Sequence, residues 1–296
     1  ALAMAERVAG SVVPAPAMAA VWERGEKALA ELERDEPSSE DLRRLRGLQE
    51  EQLGWGGYPA LEALPEGQKR TWLRDFRRTY LERDIGDLGR VADLDQFALA
   101  QSLLAARTGQ LLSYSEVSRE VGLAVNTVKR YVHFLGLSYQ VLLLRPVLPN
   151  ITSRLVKSPK LYWTDPGLAR VLAERPDAND GAIFETAVCA ELFRWRSWQE
   201  EPPEIGFHRT SAGREIDFVL HGPGSMIAIE AKAGTSIPAG VARSLETFLD
   251  EVRLPGRAPK SKRTGIVVYR GRAVKRLLPR VWAVPFSRLF GAGASR

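Results

Sequence analysis

A chain of 296 residues with 45% apolar content is long enough for about two or three packed units and too apolar to be a mainly disordered polymer. Its single cysteine, Cys189, excludes an internal disulfide and a cysteine-rich zinc site. The formal net charge of +6 is uneven: residues 181–296 hold 18 basic against 11 acidic residues, so the excess is C-terminal.

The opening ALAMAERVAG lacks the charged region, apolar run and cleavage pattern of a secretory signal. With one thiol and no export signal, the expected location is a reducing cytoplasm. Residues 1–92 read as a helical segment, in which Met18–Glu33 places Val21, Ala28, Leu29 and Leu32 on one side of a helical repeat. Pro37 and Ser38 interrupt it, and a second helix is expected over Ser39–Gln52. The glycines of GWGGYPAL, around Trp55 and Tyr58, permit a compact turn. A long helix then carries Trp72, Phe76, Tyr80 and Ile85 at the spacing of core aromatics.

Residues 93–178 read as a winged-helix unit. Phe97, Leu99, Leu103 and Leu104 suggest one helix, and SYSEVSREVG and VNTVKRYVHFLG two more, joined by Gly122, Leu123 and Ala124. Val117 and Val121 turn inward in the first of that pair. Val128, Tyr131 or Val132, and Leu135 turn inward in the second, which leaves Asn126, Lys129, Arg130 and His133 outward. SYQVLLLRPVLP and KLYWTD follow as paired strands. Gln140–Leu148, the most apolar stretch, is interrupted by Arg145 and falls short of the roughly 18 apolar residues of a membrane helix. Two roles compete for this unit: nucleic-acid contact through Lys129 and Arg130, or packing and partner contact. The sparse charge of the second helix favours backbone contact over base reading.

Residues 179–296 read as an α/β domain, which makes the whole chain multidomain α and α/β. GAIFETAVCAELFRWRSW is an amphipathic helix with Phe184, Val188 and Leu192 on one face and Glu185 turned from that stripe, while Glu191 is expected at the surface. IGFHRT, EIDFVL, MIAIEAK and TGIVVY are strand candidates, and VWAVPFSRLF adds another strand and a short helix. No acid follows Glu251, and the basic run from Arg253 to Arg280 includes Lys260, Lys262 and Arg263, candidate phosphate contacts together with Arg209.

The chemistry-bearing constellation lies in two of these strands. Side chains alternate along a strand, so Glu230 and Lys232 share a face while Ile227, Ile229 and Ala231 take the other. HGPGS is a short turn that makes the strands antiparallel neighbours, and pairing Leu220 with Ile227 places Asp217 opposite Glu230. Two carboxylates can hold Mg²⁺ or Mn²⁺ through hard oxygen ligands, and a nearby lysine can orient water toward phosphorus. Glu185 is a candidate third acid in catalysis, and Glu215 an alternative metal ligand. A hydrated sheet edge bearing an ion pair is the competing structural explanation.

The GRE-IDFVLHGPGS-MIAIEAK segment resembles the Asp and Glu-x-Lys core of the PD-(D/E)xK nuclease superfamily, whose members cut nucleic acid with a divalent cation. More broadly, GGYP, YLERDI, LSYQVLLLRPVLPN, SPKLYWTDPGL and GAIFETAVCAEL resemble, in order, the C-terminal part of prokaryotic AAA-type ATPases carrying the domain of unknown function 4143. That resemblance implies a restriction-endonuclease-like C-terminal domain and an ATPase region preceding it, with residues 1–20 corresponding to its tail. The chain contains no G-x-x-x-x-G-K-[ST] loop, and GRAPKSKR from Gly256 has the wrong spacing, so no ATP site is expected here. The resulting expectation is metal-dependent phosphodiester hydrolysis on nucleic acid, coupled to an ATPase in a longer protein. The competing expectation is a noncatalytic nucleic-acid-binding or protein-interaction module. Expected partners are nucleic acid and an ATPase region or a second copy of the chain, with no membrane.

Overall fold

A computed structural model of the chain describes residues 16–85, 94–147, 157–174, 180–210, 213–252 and 263–291. The chain divides into two units, one formed from the described residues of Gln52–Leu143 and Ser158–Ala190, the other from those of Leu2–Glu51, Leu144–Lys157 and Glu191–Arg296. Residues 1–92, read from the sequence as one segment, are thus shared between them.

Helices α1 (Ala17–Arg24), α2 (Glu26–Arg34) and α3 (Ser39–Trp55) come first. The run expected as continuous over Met18–Glu33 is broken at Gly25, whose φ of 57° leaves the helical region. Helix α4 (Glu66–Thr79) passes into a wider π-helical turn over Tyr80–Ile85, which is the YLERDI segment. Helix α5 (Leu94–Ala106), strand β1 (Gln110–Leu111), helices α6 (Tyr114–Val121) and α7 (Val125–Leu137), and strands β2 (Val141–Leu144) and β3 (Lys160–Trp163) follow. Their sheet runs β1-β3-β2, with Gln110 opposite Leu161 and Leu111 opposite Lys160.

Burial in α6 and α7 follows the apolar periodicity. Val117, Val128, Tyr131, Val132 and Leu135 are buried, and Lys129, Arg130 and His133 are exposed. Tyr58, Trp72 and Phe76 form one aromatic cluster, with centroids 4.9–5.5 Å apart and Trp72 stacked on Phe76.

One buried carboxylate explains why the glycine turn and the TDPG segment occur together. Asp165 caps helix α8 (Pro166–Leu172) by accepting the Leu168 N–H at 2.8 Å, and it also accepts the Gly57 N–H at 2.8 Å. Gly56 has φ +83°, and a Cβ there would stand 2.0 Å from Asp165 Oδ1. A Cβ on Gly167 would stand 2.0 Å from the Trp55 carbonyl carbon, so both turns need glycine.

Helix α9 (Asp180–Ser197) is buried on nearly every side: Ile183, Phe184, Ala187, Val188, Cys189, Ala190, Leu192 and Trp195 are all inside. The single apolar stripe expected for it is therefore corrected. Glu191, expected at the surface, is buried and accepts a hydrogen bond from Arg194 at 2.7 Å.

Strands β4 (Glu204–Arg209), β5 (Glu215–Gly222) and β6 (Ser225–Lys232) are followed by helix α10 (Val241–Glu251), then β7 (Arg263–Tyr269), β8 (Lys275–Leu278), β9 (Val281–Pro285) and helix α11 (Phe286–Phe290). The sheet order is β4-β5-β6-β7-β9-β8. The first three strands are antiparallel neighbours, while β6, β7 and β9 run parallel. Parallel neighbours require a crossover, and α10 supplies the one between β6 and β7. Its Leu245, Phe248 and Leu249 pack with Val219, Met226, Ala228, Val267 and Val281. The sequence reading had neither α10 nor β8.

The N-terminal helices belong to this second unit through contacts between residues far apart in sequence. Trp22 meets Trp195 edge-on at 6.0 Å. The buried Arg288 guanidinium donates to the Leu32 and Asp35 carbonyls at 3.0 and 2.9 Å and to the Asp35 carboxylate at 3.0 Å. Arg276 donates to Glu26 at 3.1 Å.

Candidate functional site

The β5–β6 hairpin closes over Pro223 and Gly224, with Gly222 opposite Ser225. Gly224 has φ 80°, which the turn requires and a proline before it favours. A two-residue loop leaves no slack in register, so Leu220 pairs with Ile227 and Phe218 with Ile229. The paired ladder ends at Phe218–Ile229, and Asp217 and Glu230 are the next residues beyond it.

The structure brings Asp217, Glu230 and Lys232 together. Lys232 Nζ donates to Glu230 Oε2 at 2.6 Å and lies 3.9 Å from Asp217 Oδ2, which also accepts the Ala231 N–H at 2.9 Å. The side chains of Asp217 and Glu230 are 11% and 8% exposed and that of Lys232 is 29% exposed, so Lys232 is the most accessible of the three. Two carboxylates meet one lysine in a poorly hydrated place, and paired carboxylates there can hold a cation.

A bulge re-aims the strand here. Between β4 and β5 the register moves from Gly206–Val219 to His208–Ile216, which inserts one extra residue in the stretch of β5 that holds Asp217. Simple alternation fails across it, and Ile216 and Val219 join the same apolar cluster. Glu215 consequently does not follow Asp217. It lies 3.6 Å from Arg209 of β4, beside a small pocket with His208, Thr210, Arg214, Ser244 and Glu251. Burial, with help from the charge of Arg214, holds the His208 imidazole below its ordinary pKa of 6.5.

Glu185, the other candidate acid, belongs to a cluster of the first unit. It accepts hydrogen bonds from Lys160 Nζ at 3.0 Å and from the Tyr162 hydroxyl. Among the described residues no group of three or more His, Cys, Asp and Glu side chains is arranged to hold a metal ion. The acid pair alone still suits Mg²⁺ or Mn²⁺, because such ions bind through one or two carboxylates and complete their shell with water and phosphate oxygens.

The candidate phosphate contacts divide. Lys129 and Arg130 are exposed on α7, with Lys129 Nζ 5.8 Å from the Tyr114 ring centroid. Arg209 is exposed beside Glu215. Lys260 and Lys262 lie outside the described residues. Arg263 is corrected: it is buried, and its guanidinium donates to the Leu249 and Val252 carbonyls at 2.7 and 3.3 Å, which satisfies the C-terminal end of α10. Arg280 is likewise engaged, by Glu246 at 2.9 Å and Asp250 at 3.0 Å.

Comparison with known proteins places these elements in two matched regions. Residues 46–179 match a domain of unknown function, DUF8612, and residues 180–289 match a second, DUF4143. The chain carries a DUF4143 domain. That domain contains the Asp217–Glu230–Lys232 cluster, whereas the glycine turn, Asp165 and the α6–α7 pair fall in the DUF8612 match. The chain is 29% identical over 244 residues to the uncharacterized protein Rv2008c of Mycobacterium tuberculosis, and equally to the uncharacterized protein Mb2031c of Mycobacterium bovis. The aligned stretch covers 80% of this chain and 52% of each relative, so the chain spans about half the length of the curated relatives it matches. No solved structure matches. Among the described residues no helix is long and apolar enough to cross a membrane.

Proposed function

We propose that the DUF4143 domain hydrolyses phosphodiester bonds of nucleic acid with the help of Mg²⁺ or Mn²⁺ held by Asp217 and Glu230. The observation that carries this reading is the convergence of two buried carboxylates and one more accessible lysine on adjacent strands. The bound cation supplies neutralisation of phosphate charge and acidification of water. Lys232 would donate to a nonbridging phosphate oxygen or orient the attacking water. A bond from water oxygen to phosphorus forms as that water gives up a proton to solvent, the bond from phosphorus to the leaving sugar oxygen breaks, and that oxygen takes a proton from solvent. Asp217 stays positioned by the Ala231 N–H throughout.

The topology supports the finer assignments. The order α5-β1-α6-α7-β2-β3 with sheet β1-β3-β2 fits a winged-helix unit, whose exposed Lys129 and Arg130 suit backbone phosphates. The order α9-β4-β5-β6-α10-β7, with its acid and E-x-K on neighbouring strands, fits a restriction-endonuclease-like domain. The resemblance to AAA-type ATPases and the greater length of the relatives support coupling to an ATPase region in a longer protein.

A second reading, a noncatalytic nucleic-acid or protein-binding module, is favoured by one observation: Lys232 already bridges toward both acids. Branched, single-stranded and linear DNA and RNA incubated with Mg²⁺ or Mn²⁺ separate the two. The hydrolytic reading expects cleavage by the parent that is lost in Asp217→Asn, Glu230→Gln and Lys232→Met while the circular dichroism spectrum persists. Cleavage unchanged in all three variants rejects this site.

A further inference from the structure

The second unit contains a cavity of about 590 Å³ that the hydrolytic cluster does not use, lined by Arg43, Arg46 and Gln49 of α3 together with Thr235, Arg270 and Arg272. Its size falls in the range of small-ligand sites. Arg43, Arg46 and Gln49 recur three residues apart on one stripe of the helix. Thr235 follows the end of β6, and Arg270 follows the end of β7, where its N–H bonds the Gly234 carbonyl at 3.1 Å. The cavity thus opens at the carboxyl ends of parallel strands, where α/β sheets commonly bind ligands.

Two observations define what would fill it. The lining holds four arginines and no acid. Arg270 is paired with Glu50 at 2.5 Å, but among the described residues Arg43, Arg46 and Arg272 have no carboxylate partner. Like charges gathered around one concavity repel each other and raise the local potential for anions. Independently, Gln49 is 2% exposed and its Oε1 has no hydrogen-bond donor, while its Nε2 faces Glu50 at 3.4 Å. A buried acceptor without a donor is costly, and a ligand N–H or O–H would satisfy it.

We propose that this cavity binds a nucleotide, with its phosphate on the arginines and a base or sugar N–H or O–H donated to Gln49 Oε1. Guanidinium forks suit phosphate oxygens, and the mode differs from a Walker loop, which cradles phosphates with backbone N–H groups. A free nucleoside monophosphate and the phosphorylated end of a nucleic-acid strand both present this chemistry. The site requires no metal and none of Asp217, Glu230 and Lys232.

Calorimetric titration of the full chain in EDTA tests it, with AMP, adenosine, sodium phosphate and a 5′-phosphorylated dinucleotide as probes. AMP is expected to bind at least about tenfold tighter than adenosine or phosphate, since only it uses both parts of the site. Arg43→Gln combined with Arg46→Gln, both exposed positions, should weaken AMP at least about tenfold with an unchanged circular dichroism spectrum. Gln49→Leu should weaken AMP and leave phosphate affinity intact. Asp217→Asn should leave all four titrations unchanged, which keeps this result separate from the fate of the hydrolytic reading. Tighter binding of the dinucleotide than of AMP assigns the cavity to strand ends, and equal binding assigns it to free nucleotides. Absence of AMP binding, AMP binding no tighter than phosphate, or AMP affinity untouched by the arginine pair overturns the proposal.

Discussion

Each unit holds a lysine against carboxylate, and the two clusters differ in balance and in access. In the first unit Lys160, with a side chain 4% exposed, meets one acid, Glu185, and the Tyr162 hydroxyl joins the same carboxylate. In that pair one positive charge faces one negative charge. In the second unit Lys232 faces two acids and reaches solvent. A balanced, enclosed ion pair holds elements together; an unbalanced cluster with one open side has a use for a cation. The same residue types therefore support different readings, and Glu185, a catalytic candidate by sequence, is held by Lys160 and Tyr162.

The largest effect expected from this contrast is on stability. Lys160→Met strands one largely buried carboxylate and Lys232→Met strands two that are less exposed still, so each should cost about 3–5 kcal/mol. Urea unfolding with and without Mg²⁺ separates them: the cation should restore stability lost at Lys232 and leave the loss at Lys160 unchanged, and equal responses would remove the distinction. Lys160→Met combined with Glu185→Gln should recover part of the loss.

Next comes turnover. Asp217→Asn or Glu230→Gln should lower metal-dependent cleavage about hundredfold or more, while Glu185→Gln melts earlier but cleaves at the parental rate. A Glu185→Gln protein that is stable yet inactive would return Glu185 to the catalytic set.

A smaller effect is expected at Asp165. Asp165→Ala removes a helix cap and the acceptor for the Gly57 N–H, and should cost about 1–2 kcal/mol without altering cleavage. Thermal unfolding beside a cleavage assay checks that a buried acid of the first unit acts only on stability.

The smallest concerns pH. The His208 pKa is lowered in the folded state, so the unfolded chain binds the extra proton first as pH falls. The associated stability is complete above the unfolded value of 6.5 and is lost as pH drops through the folded pKa. His208→Gln should flatten this part of the stability profile. An identical slope in the variant would assign the pH dependence to other groups.

Legibility tracked locality. The faces of α6 and α7 could be read because each turn of helix brings the next apolar residue to one side. The Leu220–Ile227 register could be read because a two-residue turn and a period of two leave one solution. Helix α10 also had its signal in the spacing of Leu245, Phe248 and Leu249, and α8 in the Asp165-Pro166 start, yet neither is among the helices expected from the sequence.

By itself the sequence determined the hairpin that gathers Asp217, Glu230 and Lys232, because every constraint on it acts within sixteen residues. Only the tertiary structure decided that Glu215 leaves that group, since the bulge arises from pairing with β4 and not from β5 alone. Tertiary packing also buried Glu191 by surrounding α9, turned Arg263 onto the end of α10, and joined α1 and α2 to α9, α11 and β8 through Trp22, Asp35 and Glu26. Such choices depend on which distant surface best excludes water from a side chain and satisfies its polar end. Local periodicity carries no record of that partner.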